Sequence, residues 1–197
     1  MKFKITLKID RKYGDLLPFN YQYEQSAVIY RILAQADTQY SSWLHKNGYL
    51  LHERKRFKLF CYSPFIFEKV RPLPEAGCLK IIDERAVWYI SFIPEKSTLE
   101  FIQGIFAHQS FSIGNKKYQV AFDVVGVEAI PMPQLSEEMT FVALSPICVK
   151  LHEDNKTQYL SPDNPMFAEG VLKGLKARYE SIHGQPFDMN DKEFSFE

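Results

Sequence analysis

The order of hydrophobic patterns predicts an α+β protein: a ferredoxin-like (βαββαβ) N-terminal domain followed by the start of a second ferredoxin-like domain. Three observations predict it. Apolar residues alternate at period two through "KFKITLKID", they recur at helical spacing through "AVIYRIL", and strand followed by helix returns after the break "PMPQLSEE".

Each element has its own signal. From Lys2 to Asp10, Phe3, Ile5, Leu7 and Ile9 share one face of a half-buried strand. Gly14 and Pro18 mark a loop, and a helix is predicted from about Tyr21 to Ala36 on the stripe Ile29, Ile32, Leu33 and Ala36. Asp37 can cap a shorter helix over Thr38 to Lys46, ended by Asn47-Gly48. A strand is expected over Phe57 to Phe67, then a proline-rich connection, "RPLPEAG". Cys78 to Ile82 and Ala86 to Ile93 read as a hairpin. A helix over Glu95 to His108 is expected to turn Leu99, Ile102 and Phe106 inward. Phe111 to Ile113 and Lys117 to Val127 form a further hairpin across Gly114-Asn115.

The domain division predicted is 1–130, a linker at 131–138, and 139–197. In the last part Thr140 to Lys150 reads as a strand, with Tyr159-Leu160 as a short return strand. Asn164-Pro165 opens a helix to about His183, with Ala168, Val171, Leu172, Leu175 and Tyr179 on its apolar face. Gly170 and Gly174 in that helix point to close packing, and Asp191–Glu197 reads as a strand beginning.

Composition excludes several classes. Hydrophobic residues make up 46% of the 197, which argues for a packed core. Cys61, Cys78 and Cys148 are odd in number and widely spaced, which argues against a disulfide framework; Cys61 and Cys148 are expected as small buried hydrophobes. No apolar run approaches the roughly 20 residues needed to cross a bilayer, so a soluble, cytoplasmic protein is expected. The five histidines lack zinc-type spacing, and neither a Walker loop nor GxGxxG occurs, so no cofactor is expected.

The formal charge is zero, with 24 basic and 24 acidic residues, but its distribution is uneven. From His45 to Arg71 there are seven basic side chains (Lys46, Arg54, Lys55, Arg56, Lys58, Lys69 and Arg71) against Glu53 and Glu68. A local positive field attracts polyanions even on a neutral molecule.

Within and beside this segment lie Tyr30, His45 and Lys58. They are either a site or a core-margin tyrosine, a helix-end histidine and a strand-edge lysine. The chemical case for a site is coherent. Cleaving RNA without metal requires deprotonation of a 2′-OH, protonation of the leaving 5′-oxygen and neutralisation of the charged phosphorane. Histidine can move a proton at neutral pH, lysine can neutralise the phosphate, and tyrosine can orient the nucleophile. The flanking His52, Arg54, Lys55, Arg56, Lys69 and Arg71 are the candidate RNA-backbone contacts.

"FNYQYEQSAVIYRIL", "WLHKNGY" with "KLFCYSPF", and "FVALSPICV" occur in an order and spacing that resemble the CRISPR-associated endoribonuclease, family six, of the RAMP superfamily, over about residues 1 to 190. The resemblance implies two ferredoxin-like domains and metal-independent cleavage of CRISPR precursor RNA within each repeat, leaving a 2′,3′-cyclic phosphate. By it, His45, Lys58 and Tyr30 match the catalytic positions. A CRISPR effector complex and a homodimer are further partners it suggests. The family's C-terminal glycine-rich loop is not seen in this sequence, and a missing C-terminal portion is expected. A non-cleaving repeat-RNA-binding protein and a structural ribonucleoprotein subunit are the alternatives.

Overall fold

The computed structural model describes residues 1–51, 55–136, 138–143, 145–153 and 156–187. His52, Arg54 and the strand expected over Asp191–Glu197 lie outside the described residues. The chain forms two compact units, one of Met1–Lys46 with Leu59–Met139 and one of Asn47–Lys58 with Thr140–Glu197.

The first unit is built on strand β1 (Lys2–Asp10), whose alternate residues Phe3, Ile5, Leu7 and Ile9 are buried. Helices α1 (Gln22–Ala36) and α2 (Thr38–Lys46) follow. A short strand β2 (Leu16–Pro18) precedes them, where only a loop was expected. The unit's sheet runs β5 (Phe60–Tyr62), β8 (Arg85–Phe92), β1, β10 (Gln119–Ile130), β9 (Ser110–Gly114), with every neighbouring pair antiparallel. Removing the edge strand β9 leaves the ferredoxin-like order, with α1 and α3 (Glu95–Ala107) as its two helices. The register of β1 on β10 shifts between Thr6 and Leu7, so Val125 is an extra residue that bends the long strand.

Three expectations need correction here. The predicted strand Phe57–Phe67 is broken: Leu59 takes φ +55, only Phe60–Tyr62 pairs continuously, and Ile66 adds one bridge to Val87. Cys78–Ile82 and Ala86–Ile93 do not form a hairpin. Instead β7 (Cys78–Ile81) sits in a separate three-stranded sheet between β2 and β6 (Val70–Leu73), the segment read as a proline-rich connection. Pro72 fits there because β6 is an edge strand, where a missing N–H leaves no ladder bond unmade. Third, α3 buries Thr98, Phe101 and Ile105, while Leu99 and Phe106 are exposed. Gly104 decides that rotation: a Cβ there would lie 1.8 Å from the Ile32 carbonyl oxygen, so α3 approaches α1 through its glycine face.

Beneath the helices lies an aromatic core. Trp88, Phe92, Phe101 and Phe122 are fully buried, with Phe65 against Phe122 at 4.8 Å and Phe92 against Phe101 at 4.9 Å between centroids. Burying one such ring contributes roughly 1.5–3 kcal/mol. Two polar ties fix the start of α1 to the segment after β5. Gln25 Nε2 donates to the Ser63 carbonyl at 2.9 Å, and the Phe65 N–H donates to the Tyr21 hydroxyl at 2.9 Å. Cys61 is exposed because it alternates with Phe60 and Tyr62 and points to the opposite face of β5; Cys148 is also exposed, and Cys78 is buried as a small core residue.

The second unit contains the hairpin of β3 (Tyr49–Leu51) and β4 (Lys55–Phe57), the hairpin of β11 (Val149–Glu153) and β12 (Lys156–Leu160), and helix α4 (Met166–His183). Of the strand expected over Thr140–Lys150, Val149 and Lys150 are strand, as the start of β11. Asn164 Oδ1 accepts from the Met166 N–H at 2.9 Å and opens α4. Its buried residues are Phe167, Leu172 and Ala177, whereas Leu175 is exposed. Gly170 lets the helix press on β11, since a Cβ would lie 2.4 Å from Val149 Cγ1. Among the described residues no helix is long and apolar enough to cross a membrane.

Candidate active site

The corner between α1 and α2 is set by Asp37. Its N–H donates to the Leu33 carbonyl at 2.9 Å and closes α1, and its carboxylate accepts from the Tyr40 N–H at 2.8 Å and opens α2. That backbone bond, helped by the Lys96 ammonium at 3.2 Å, holds the Asp37 carboxyl below its ordinary value. Ser41, one turn before His45, locks the corner: its Oγ donates to the Tyr30 carbonyl at 2.8 Å.

The consequence is a ring contact. Tyr30 and His45 meet edge to face, with centroids 4.9 Å apart and planes at 85°. Phe60 of β5 holds the other side of Tyr30 at 5.7 Å and 76°, and is itself packed against Tyr62 and Phe92. Tyr30 is half-buried and His45 is exposed at the helix end. Burial pushes the Tyr30 phenol up, and the neighbouring Tyr62 phenol pushes it the same way. Tyr30 is therefore a phenol at neutral pH, suited to donate a hydrogen bond and not to act as a base. Tyr62 donates its own hydroxyl to the Gln22 carbonyl at 3.1 Å.

Lys58 belongs to the second unit, just past β4. Its ammonium lies over Gly48: an added Cβ there would stand 3.2 Å from Lys58 Nζ and 2.6 Å from the Phe57 carbonyl oxygen. Gly48 also sits at φ +67, so glycine is required twice over. Burial lowers the Lys58 ammonium's pKa, and the positive charge of Arg56 lowers it further. Of the candidate backbone contacts, Lys55 and Arg56 are exposed on β4, while Lys69 and Arg71 are exposed at the three-stranded sheet of the first unit. The basic segment is thus divided between the two units. The structure unites Tyr30 with His45 and places Lys58 beside Gly48.

Sequence reasoning missed Phe60, Tyr62 and Ser41. The alternation Phe60-Cys61-Tyr62 was visible, but which face met α1 was not. In the sequence Gly48 signals only a helix stop.

The fold defines an α+β protein of the ferredoxin-like class. Its residues 16–122 match the sequence model "CRISPR-associated protein Cas6, N-terminal", and residues 130–197 match "CRISPR associated protein Cas6, C-terminal". The chain belongs to the Cas6 family of CRISPR-associated proteins. It is 29% identical to the CRISPR-associated endoribonuclease Cas6 1 of Methanocaldococcus jannaschii, over 98% of this chain and 71% of that one. A solved structure described as that of a Cas6-related gene from Pyrococcus furiosus superposes with a TM-score of 0.77 at 25% identity, covering 95% of this chain and 73% of that one. Another, described as a RAMP protein binding different RNA substrates, gives a TM-score of 0.74 at 25% identity over 94% and 73% of the two chains.

Proposed function

We propose that this chain is an endoribonuclease that processes CRISPR repeat RNA without a metal, by attack of a 2′-OH on the adjacent phosphate. The observation that carries the reading is the contact of an exposed histidine with a tyrosine held as a phenol. In the reaction the O2′–P bond forms and the P–O5′ bond breaks, leaving a 2′,3′-cyclic phosphate and a free 5′-OH. His45 handles the proton, Tyr30 donates a hydrogen bond to orient the reacting ribose-phosphate, and Lys58 supplies positive charge as the phosphorane forms. Burial, and the neighbouring Arg56 charge after it, hold the Lys58 pKa below its ordinary value, so an added phosphate charge beside it favours the ammonium form. Arg54, Lys55, Arg56, Lys69 and Arg71, with His52, hold the RNA backbone.

Family membership supports this reading, as does the name of the Methanocaldococcus relative. We further propose a ferredoxin-like domain at 1–130, a linker at 131–138 and a partial second ferredoxin-like domain at 139–197, action in the cytoplasm, and delivery of the product to a CRISPR effector complex; homodimer formation is testable by light scattering. The deciding experiment is cleavage of repeat RNA in excess chelator. Cutting that persists there, fails on a substrate with 2′-deoxyribose at the scissile position, and leaves a cyclic phosphate supports the mechanism. Cutting that stops in chelator, or proceeds on the deoxy substrate, rejects it.

A further inference from the structure

At the opposite edge of the five-stranded sheet from Phe60 and Tyr62, two turns of the first unit converge on a groove. One is the 3₁₀ turn Arg11–Tyr13 after β1; the other joins β9 to β10. The cavity between them measures about 570 Å³ and is lined by Tyr13, Gly114, Asn115, Lys116, Lys117 and Gln119. That volume lies within the roughly 300–1,000 Å³ typical of ligand sites. Its lining holds two lysines and no carboxylate.

Both turns are tied by hydrogen bonds. The Arg11 guanidinium donates to the carbonyls of Ile82 and Asp83 at 3.0 Å each and pairs with Asp15 at 3.3 Å. Across the groove, the Asn115 side-chain oxygen accepts from the Lys117 and Tyr118 N–H groups at 2.8 and 2.9 Å. This leaves the Asn115 amide hydrogens as donors. Gly114, at φ +133, cannot carry a side chain, because a Cβ would lie 2.1 Å from the Tyr118 carbonyl oxygen. The nearby carboxylates are engaged: Asp10 with Lys12 at 3.7 Å, and Asp15 with Arg11 and Lys80. Tyr13 is 56% exposed, with the Lys12 ammonium 5.0 Å from its ring centroid. A hydrogen bond with Tyr118 holds the Lys117 ammonium above its ordinary pKa.

We propose that this groove binds a nucleotide of single-stranded RNA outside the cleavage site, with Lys116 and Lys117 on phosphates and the face of Tyr13 against an unpaired base. Two lysines, an amide donor and an exposed aromatic ring on a concave surface are the elements that bind single strands without reading their sequence. β9 lies four strands from β5, roughly 19 Å across the sheet at ~4.8 Å per strand. The groove is therefore separate from the Tyr30–His45 corner and would engage RNA flanking the cut. This inference rests on the RNA reading above.

The test uses the full chain carrying His45→Ala, so that binding is measured without cutting. Its affinity for repeat RNA extended by flanking nucleotides is followed against salt. Each phosphate contact to a single strand adds about 0.7 to the slope of log K against log salt. Adding Lys116→Gln and Lys117→Gln should lower the slope by about 1.4, the arginine pair should restore it, and RNA carrying 5-iodouridine in the flank should crosslink to Tyr13. RNA that binds with an unchanged slope in the glutamine variant, or crosslinks only to peptides lacking Tyr13, overturns the groove and leaves the repeat-RNA reading standing. Absence of RNA binding by the His45→Ala background and by wild type at every salt overturns both.

Discussion

The two compact units each hold a candidate catalytic side chain, and they do so differently. In the first, Tyr30 and His45 are positioned by packing: two helices meet at Asp37, Ser41 ties one to the other, and Phe60 supports the tyrosine ring. In the second, Lys58 is positioned by backbone: a glycine at φ +67 lies under its ammonium, and Leu59 at φ +55 follows it. The difference predicts how each fails. Trimming a side chain at the helix corner removes chemistry and spares the fold. Adding a side chain at Gly48 displaces the hairpin itself.

The largest effect is expected at His45. Its replacement by alanine should slow single-turnover cleavage by about 10²–10⁴-fold, the range for a positioned proton carrier. Lys58→Ala should cost about 10²–10³-fold, as for loss of one group stabilising transition-state charge. Lys58→Arg should recover part of it. Retention of full activity by Lys58→Ala would remove the second unit from the comparison. Gly48→Ala should cost up to about 10²-fold although the residue itself carries no chemistry, because a small displacement of a reacting group is expensive. A crystal structure of that variant with Lys58 unmoved would contradict the backbone account.

Ser41→Ala sharpens the helix side. Losing one hydrogen bond of about 1 kcal/mol should lower kcat by up to about tenfold with KM little changed, and threonine should restore it. A rise in KM alone would place Ser41 outside the positioning of Tyr30 and His45.

The smallest effect is on alkaline stability. The phenols of Tyr30 and Tyr21 are raised above 10.0 by burial, so the folded state holds their protons more tightly. Their contribution is fully present below pH 10.0 and is lost as pH rises through the folded values. Lys58 is lowered below 10.5 and acts in the opposite sense, its penalty easing as pH rises through its folded value. Tyr30→Phe should flatten the alkaline fall in thermal midpoint.

Much of the frame was legible because strong periodicity survives tertiary context. β1, α1, α2 and the hairpin around Gly114 all follow their patterns. Helix faces were harder to read. Leu99 and Phe106 look like core residues by hydropathy, yet the close approach of Gly104 to Ile32 selects the other face of α3. The pairing of β7 with β2 depends on long-range contact that local signals do not carry, and the short β6–β7 hairpin across Pro74–Gly77 is hidden by the prolines at 72 and 74, which read as a connection. At the site, the residue types at 30, 45 and 58 suggested chemistry. The support from Phe60 and Ser41 required knowing how α1, α2 and β5 meet.

The most direct measurement is a double-mutant cycle on RNA cleavage in chelator: wild type, Tyr30→Phe, His45→Ala and the double variant, at saturating enzyme. Residues working on one reacting centre give losses that do not multiply. The account predicts that the double variant cuts no more slowly than His45→Ala alone. Wild-type cutting by His45→Ala, or losses that multiply in the double variant, would contradict it.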